Sequence, residues 1–128
     1  MTNEKYELTS ETKINYDGKK LFRIKALISF GIVKKDELGG FIAKEENLDV
    51  SGDAWVYEDT LVYGNARVYG NARVFGNACV YGDAQVYGNA SVFGNAWVYG
   101  NARVSGDARV YGNAQVFGNA RVYGNARV

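Results

Sequence analysis

Five arginines each stand one residue before a valine and two before an aromatic or hydroxyl residue: Arg67 with Tyr69, Arg73 with Phe75, Arg103 with Ser105, Arg109 with Tyr111 and Arg121 with Tyr123. A guanidinium presents a rigid fork of donors that suits phosphate or carboxylate, and it also stacks on aromatic faces. Residues of these types in this order point to a small anionic ligand such as a nucleotide or a sugar phosphate. The competing reading is a row of solvated strand side chains. Net charge is only +1 and the rows are interrupted by Gln85 and Ser91. Binding of nucleic acid along a basic stripe is therefore not expected.

Other chemistry has little to stand on. The chain contains no histidine, which is the usual base near neutral pH and the commonest metal ligand. The single cysteine, Cys79, rules out an intrachain disulfide and fits a reducing compartment. No base is identifiable near it, so it reads as a small filler rather than a nucleophile. Asp53, Asp83 and Asp107 recur at equivalent positions, and Glu58 and Asp59 are adjacent. The adjacent pair is a weak hint of a metal, and a solvated acidic corner is the simpler reading. The expectation is a non-enzyme with no catalytic residue, cofactor or metal. No long apolar run exists and Met1-Thr2-Asn3-Glu4-Lys5 has no leader character, so no membrane association and a cytoplasmic location are expected.

The arginines are positioned by a repeat. Valine occupies position 50 and every sixth position to Val128, and the unit between is most often V-Y-G-N-A-R. Valine is stiff at χ1 and suits a strand facing a narrow core. The alanine two residues earlier shares its side of the strand. The residue between them and the one after valine point outward. Gly-Asn or Gly-Asp then turns a corner, because glycine accepts positive φ. Gly is present in twelve of the thirteen units. The exception, Val56-Tyr57-Glu58-Asp59-Thr60-Leu61, is expected to form a local bulge or an irregular first coil. A strict six-residue period of this kind signals a parallel β-helix.

Over residues 50 to 128 the repeat resembles the hexapeptide-repeat family. That resemblance implies an all-β, left-handed parallel β-helix of triangular section, with three units per coil and about four coils. The family includes acyltransferases and carbonic anhydrases that rely on histidines, which this chain lacks. An acyltransferase-like enzyme is therefore the weakest alternative. The resemblance also implies a homotrimer, with a dimer as the alternative.

Folded at eighteen residues, the sequence separates three outer faces. One carries Trp55, Tyr57, Arg73, Phe75, Ser91, Phe93, Arg109, Tyr111 and Arg127. A second carries Arg67, Tyr69, Gln85, Tyr87, Arg103, Ser105, Arg121 and Tyr123. The third carries Leu61, Tyr63, Cys79, Tyr81, Trp97, Tyr99, Gln115 and Phe117, with no charge among them. Aromatic enrichment with charge depletion is the composition of an interface core. The third face is the expected subunit contact. Tyrosine ladders alone would explain the aromatics, though not the avoidance of arginine.

Composition changes near residue 48. Residues 1–47 hold every lysine and read as a region that covers the end of a 48–128 β-helix. A hairpin is expected around Asp17-Gly18, with Ile14 opposite Leu21. Residues 25–33 are ambiguous between strand and short helix. Leu38-Gly39-Gly40-Phe41-Ile42 precedes the repeats, and this head resembles small phage, prophage and gut-bacterial proteins. At the other end Arg127-Val128 stops in mid-pattern, which implies truncation or a covered end. The sequence is read as a non-enzymatic, self-associating structural or interaction protein, cytoplasmic or virion-associated. The alternative is an oligomer that sequesters a small anionic ligand through Arg67, Arg73, Arg103, Arg109 and Arg121.

Overall fold

The computed structural model describes residues 3–15 and 18–128. Each hexad forms a two-residue strand and a corner, and the chain winds into an all-β parallel solenoid of about five turns. Every valine from Val56 to Val110 is fully buried, with alanines beside them. The corners repeat one conformation. Gly88, for example, has φ +68°, and a Cβ there would lie 2.9 Å from the backbone nitrogen of Gly106 on the next turn. Both the left-handed conformation and the close stacking favour glycine.

Stacked strands lie eighteen residues apart in three sheets. One holds β4 (Trp55–Val56), β7 (Arg73–Val74), β10 (Ser91–Val92) and β13 (Arg109–Val110). The second holds β6 (Arg67–Val68), β9 (Gln85–Val86), β12 (Arg103–Val104) and β15 (Arg121–Val122). The third holds β5 (Leu61–Val62), β8 (Cys79–Val80), β11 (Trp97–Val98) and β14 (Gln115–Val116). Between turns the backbone amides donate at three places per hexad, as where Arg73, Phe75 and Asn77 donate to Ala90, Val92 and Gly94 at 2.9–3.0 Å.

The head extends the third sheet to seven strands. Strand β3 (Leu38–Ile42) pairs in parallel with β5, setting Phe41 on Leu61 and Ile42 on Val62. Strands β2 (Lys20–Ala26) and β1 (Tyr6–Ile14) follow in antiparallel order. The extra rung raises the expected four coils to about five. It also makes Leu38–Ile42 part of the solenoid wall rather than a segment before it.

Several other expectations are corrected. Lys13, not Ile14, faces Leu21, and Ile14 faces Lys20. The Asn15 amide donates to the Lys19 carbonyl at 3.0 Å, and Gly18 has φ +76°, so the connection is one residue longer than a two-residue hairpin. Asp17 of the expected turn lies outside the described residues. Residues 25–33 form no helix. Strand β2 ends at Ala26, and Phe30 and Val33 exchange backbone hydrogen bonds of 2.9 and 2.8 Å. Val50 is not in the core; it is 41% exposed, and Leu48 stacks on Val68 in its place. The irregularity therefore falls at Asp49–Gly52. The unit at 56–61 is not a bulge, since both strands flanking its corner keep register. Glu58 takes the glycine conformation at φ +58°, and the buried Thr60 hydroxyl donates to the Tyr57 carbonyl at 2.8 Å.

Side-chain donors meet the first carbonyls of the solenoid. The Lys5 ammonium donates to the Asp49 and Ala54 carbonyls at 3.0 and 2.7 Å. The Asn47 amide donates to the Ala66 carbonyl at 2.8 Å and the Gly64 carbonyl at 3.3 Å. The Tyr6 hydroxyl donates to the Leu48 carbonyl at 2.6 Å, and the Arg23 guanidinium to the Gly39 carbonyl at 2.7 Å. These groups replace the amides that a preceding turn would supply.

Candidate functional site

Outward side chains one rung apart stack because the strand pairing repeats without slippage. On the β5 face, Tyr63, Tyr81, Tyr99 and Phe117 form a ladder with centroid spacings of 5.0, 4.9 and 5.4 Å. Trp97 meets Tyr81 edge-on at 6.2 Å. Leu61, Cys79 and Trp97 are half-buried, while Gln115 and Phe117 are exposed. Gln115 accepts a hydrogen bond from the Tyr99 hydroxyl at 3.2 Å. Leu61, Cys79, Trp97 and Gln115 lie on strands of the seven-stranded sheet, and Tyr63, Tyr81, Tyr99 and Phe117 each directly follow one of those strands. The head brings charge to its upper end, where Lys13 and Arg23 lie 4.8 and 4.4 Å from the Phe41 ring centre. Burial raises the Cys79 pKa, opposed by the positive charge of Lys13. The thiol is thus a poor nucleophile at neutral pH.

Ladders are not confined to that face. Tyr57, Phe75, Phe93 and Tyr111 succeed one another at 6.2, 4.8 and 5.4 Å on the β4 face. Tyr69 and Tyr87 stack at 4.9 Å on the β6 face. The aromatic residues are therefore a property of the repeat, and the distinguishing feature of the β5 face is its lack of charge between Leu61 and Phe117. Trp55, which the repeat places on the outer side, is fully buried. Phe30 and Tyr6 of the head cover it edge-on at 5.4 and 6.2 Å.

The five candidate arginines divide between two faces and are all exposed. On the β4 face Arg73 and Arg109 flank Ser91. They share a cleft of about 530 Å³ with Asp53 and Asp107, which tempers their positive charge. On the β6 face Arg67 borders a cleft with Glu45, Glu46 and Asp49. Arg103 and Arg121 are direct partners on adjacent rungs. None of the five has a carboxylate within ion-pairing distance among the described residues; the ion pairs involve Arg23 with Glu11 and Asp59, and Lys25 with Glu7.

The acidic candidates are engaged separately. The Glu58 carboxylate accepts from the Gly76 amide at 3.2 Å, and Asp59 lies 3.7 Å from Arg23. Asp83 and Asp107 accept from Asn65 and Asn89, each at 3.2 Å, within ladders of corner side chains. Among the described residues no three His, Cys, Asp or Glu side chains group as metal ligands. No helix there is long and apolar enough to cross a membrane.

Sequence reasoning missed Lys5, which is 3% exposed and lies 4.9 Å from the Phe30 ring centre. Burial pushes its pKa down to about 8, against the raising effect of Asp49 and Asp53. Nothing near Lys5 in the sequence signals this, because its environment is built by residues more than twenty positions away.

The family model described as YdcK Beta solenoid repeat matches residues 62–74, 66–82, 84–100, 96–112, 102–118 and 114–128, together more than half of the chain. No curated protein matches the chain.

Proposed function

We propose that this chain, which belongs to the YdcK beta solenoid repeat family, is a non-enzymatic structural or interaction module that associates with copies of itself. In this reading it is a left-handed hexapeptide helix with three units per coil, and residues 1–47 cap its first turn. Three chains meet as a homotrimer, in the cytoplasm or, for a phage- or prophage-type protein, on the virion. The cap is supported by the Lys5, Tyr6, Arg23 and Asn47 side chains, which donate to carbonyls at the first turn. A non-enzymatic role is supported by the absence of histidine and by the raised pKa of Cys79. The absence of histidine also removes the base on which acyltransferases of the hexapeptide-repeat type usually rely.

The observation that carries self-association is the segregation of charge. Leu61, Cys79, Trp97 and the Tyr63–Phe117 ladder form one uncharged surface, while the solenoid arginines occupy the other two faces. Desolvating such a surface leaves no charge unpaired. Light scattering coupled to size exclusion tests it. The Trp97→Glu variant should run as a smaller species than the unaltered protein, with Arg109→Glu unchanged. An unaltered mass for Trp97→Glu would sink the assignment.

A second reading rests on a separate observation, the five arginines without carboxylate partners. In it the oligomer sequesters a small anionic ligand on its arginine rows.

A further inference from the structure

The outward position after each core valine carries a ring on almost every rung. The ladders are unbroken on the β4 and β5 faces, from Tyr57 to Tyr111 and from Tyr63 to Phe117. On the β6 face the order is Tyr69, Tyr87, Ser105, Tyr123, so one ring is missing. Tyr69 and Tyr87 stack with centroids 4.9 Å apart and planes 5° from parallel. Two such steps place Tyr87 and Tyr123 about 10 Å apart. A planar ring inserted between them would meet both at the offset spacing of the existing pairs.

The gap coincides with one of two places where arginines face each other on neighbouring rungs, Arg103 with Arg121; the other pair, Arg109 with Arg127, lies on the β4 face, where Tyr111 continues the ladder. Tyr87, Arg103, Ser105, Arg121 and Tyr123 line a single cleft of about 390 Å³. Two unneutralised guanidiniums one rung apart repel, and an anion held between them removes that cost. Two rungs away the Arg67 guanidinium lies 5.6 Å from the centre of the Tyr69 ring. Arg103 has no such ring on its own rung, because Ser105 occupies the place. The Ser105 hydroxyl has no protein partner among the described residues. Asp83 shares a different cleft with the two arginines, which Gln85, Asn101 and Asn119 also line. The anion is therefore favoured on the tyrosine side.

We propose that this break in the ladder is a slot for a nucleotide, with the base stacked between Tyr87 and Tyr123 and the phosphate on Arg103 and Arg121. The proposal rests on the second reading above and gives it a location and a ligand class. It follows from stacking and charge and assigns no reaction to the site.

Calorimetric titration of the full chain with AMP, adenosine and inorganic phosphate tests it. AMP should bind more tightly than either part alone. Ser105→Tyr restores the missing rung, and should weaken AMP binding by roughly tenfold or more while leaving the fold intact. Ser105→Leu fills the same space without a ring and gives a second measure. Replacing both arginines, by Arg103→Gln and Arg121→Gln, should abolish the preference for AMP over adenosine. If AMP binds Ser105→Tyr and Ser105→Leu as it binds the unaltered protein, the slot is refuted while anion binding on the arginine rows stands. Equal losses in Ser105→Ala and Ser105→Tyr would assign the effect to the hydroxyl and overturn the stacking geometry. Failure of AMP to bind the unaltered protein overturns the slot, and failure of inorganic phosphate to bind as well overturns the anion reading on which it rests.

Discussion

Lys5 offers the sharpest test of how the head holds the solenoid. Its ammonium is buried between the Asp49 and Ala54 carbonyls, and its pKa falls from 10.5 to about 8, chiefly through desolvation. A lysine whose folded pKa is depressed binds its proton more tightly in the unfolded chain. Below about pH 8 this disfavours folding, and stability rises as pH passes from 8 towards 10.5. The full effect is about 3 kcal/mol, of which about 1 kcal/mol falls between pH 7 and 9. In Lys5→Met the titrating group is gone. At pH 7 the relief of desolvation opposes the loss of donors to two buried carbonyls, each costing about 1–3 kcal/mol. The net change at pH 7 is therefore small, and the pH slope is the diagnostic. Urea unfolding of both proteins at pH 7, 8 and 9 measures it. The difference between them cancels Cys79, whose raised pKa acts in the opposite sense at the upper end of this range. The unaltered protein should gain about 1 kcal/mol relative to Lys5→Met from pH 7 to 9. Parallel curves would show that Lys5 is not desolvated as the geometry requires.

Two further outcomes follow from single contacts. A Cβ at Gly40 would collide with the Thr60 hydroxyl, which fills the space above the only hexad lacking alanine. Gly40→Ala should cost about 1–3 kcal/mol, and Thr60→Ala in the same chain should recover at least half; strict additivity in urea unfolding would refute this complementarity. Cys79 should react with iodoacetamide at pH 8 more slowly than a free thiol, because burial raises its pKa and so lowers the thiolate fraction. Alkylation as fast as that of free cysteine would place the side chain in water.

Much of the wall was legible because a period of six leaves little freedom. Once Val56 points inward, so do Val62 and each later valine to Val110, and the residues beside them point out. The three faces follow from the same arithmetic, including the uncharged one and the break at Ser105. The failures cluster where the repeat meets the head. Trp55 sits in an ordinary Ala-Trp-Val context, yet Phe30 and Tyr6 bury it completely. Val50 matches the pattern, yet Leu48 takes its place on Val68. Ile14 lies one residue out of the expected register because the turn is longer than Asp17-Gly18 suggested.

By itself the sequence determined the rung, the corner and the side of the wall on which each repeat residue stands. Local stereochemistry settles these: valine alternates with its neighbours, and glycine at positive φ sets each corner. Only the tertiary structure decided that Leu38–Ile42 adds a rung beneath the hairpin, that Lys5 is buried, and which outward residues remain outward. Those outcomes depend on contacts between segments far apart in the chain, where no short-range pattern records which surface will be covered.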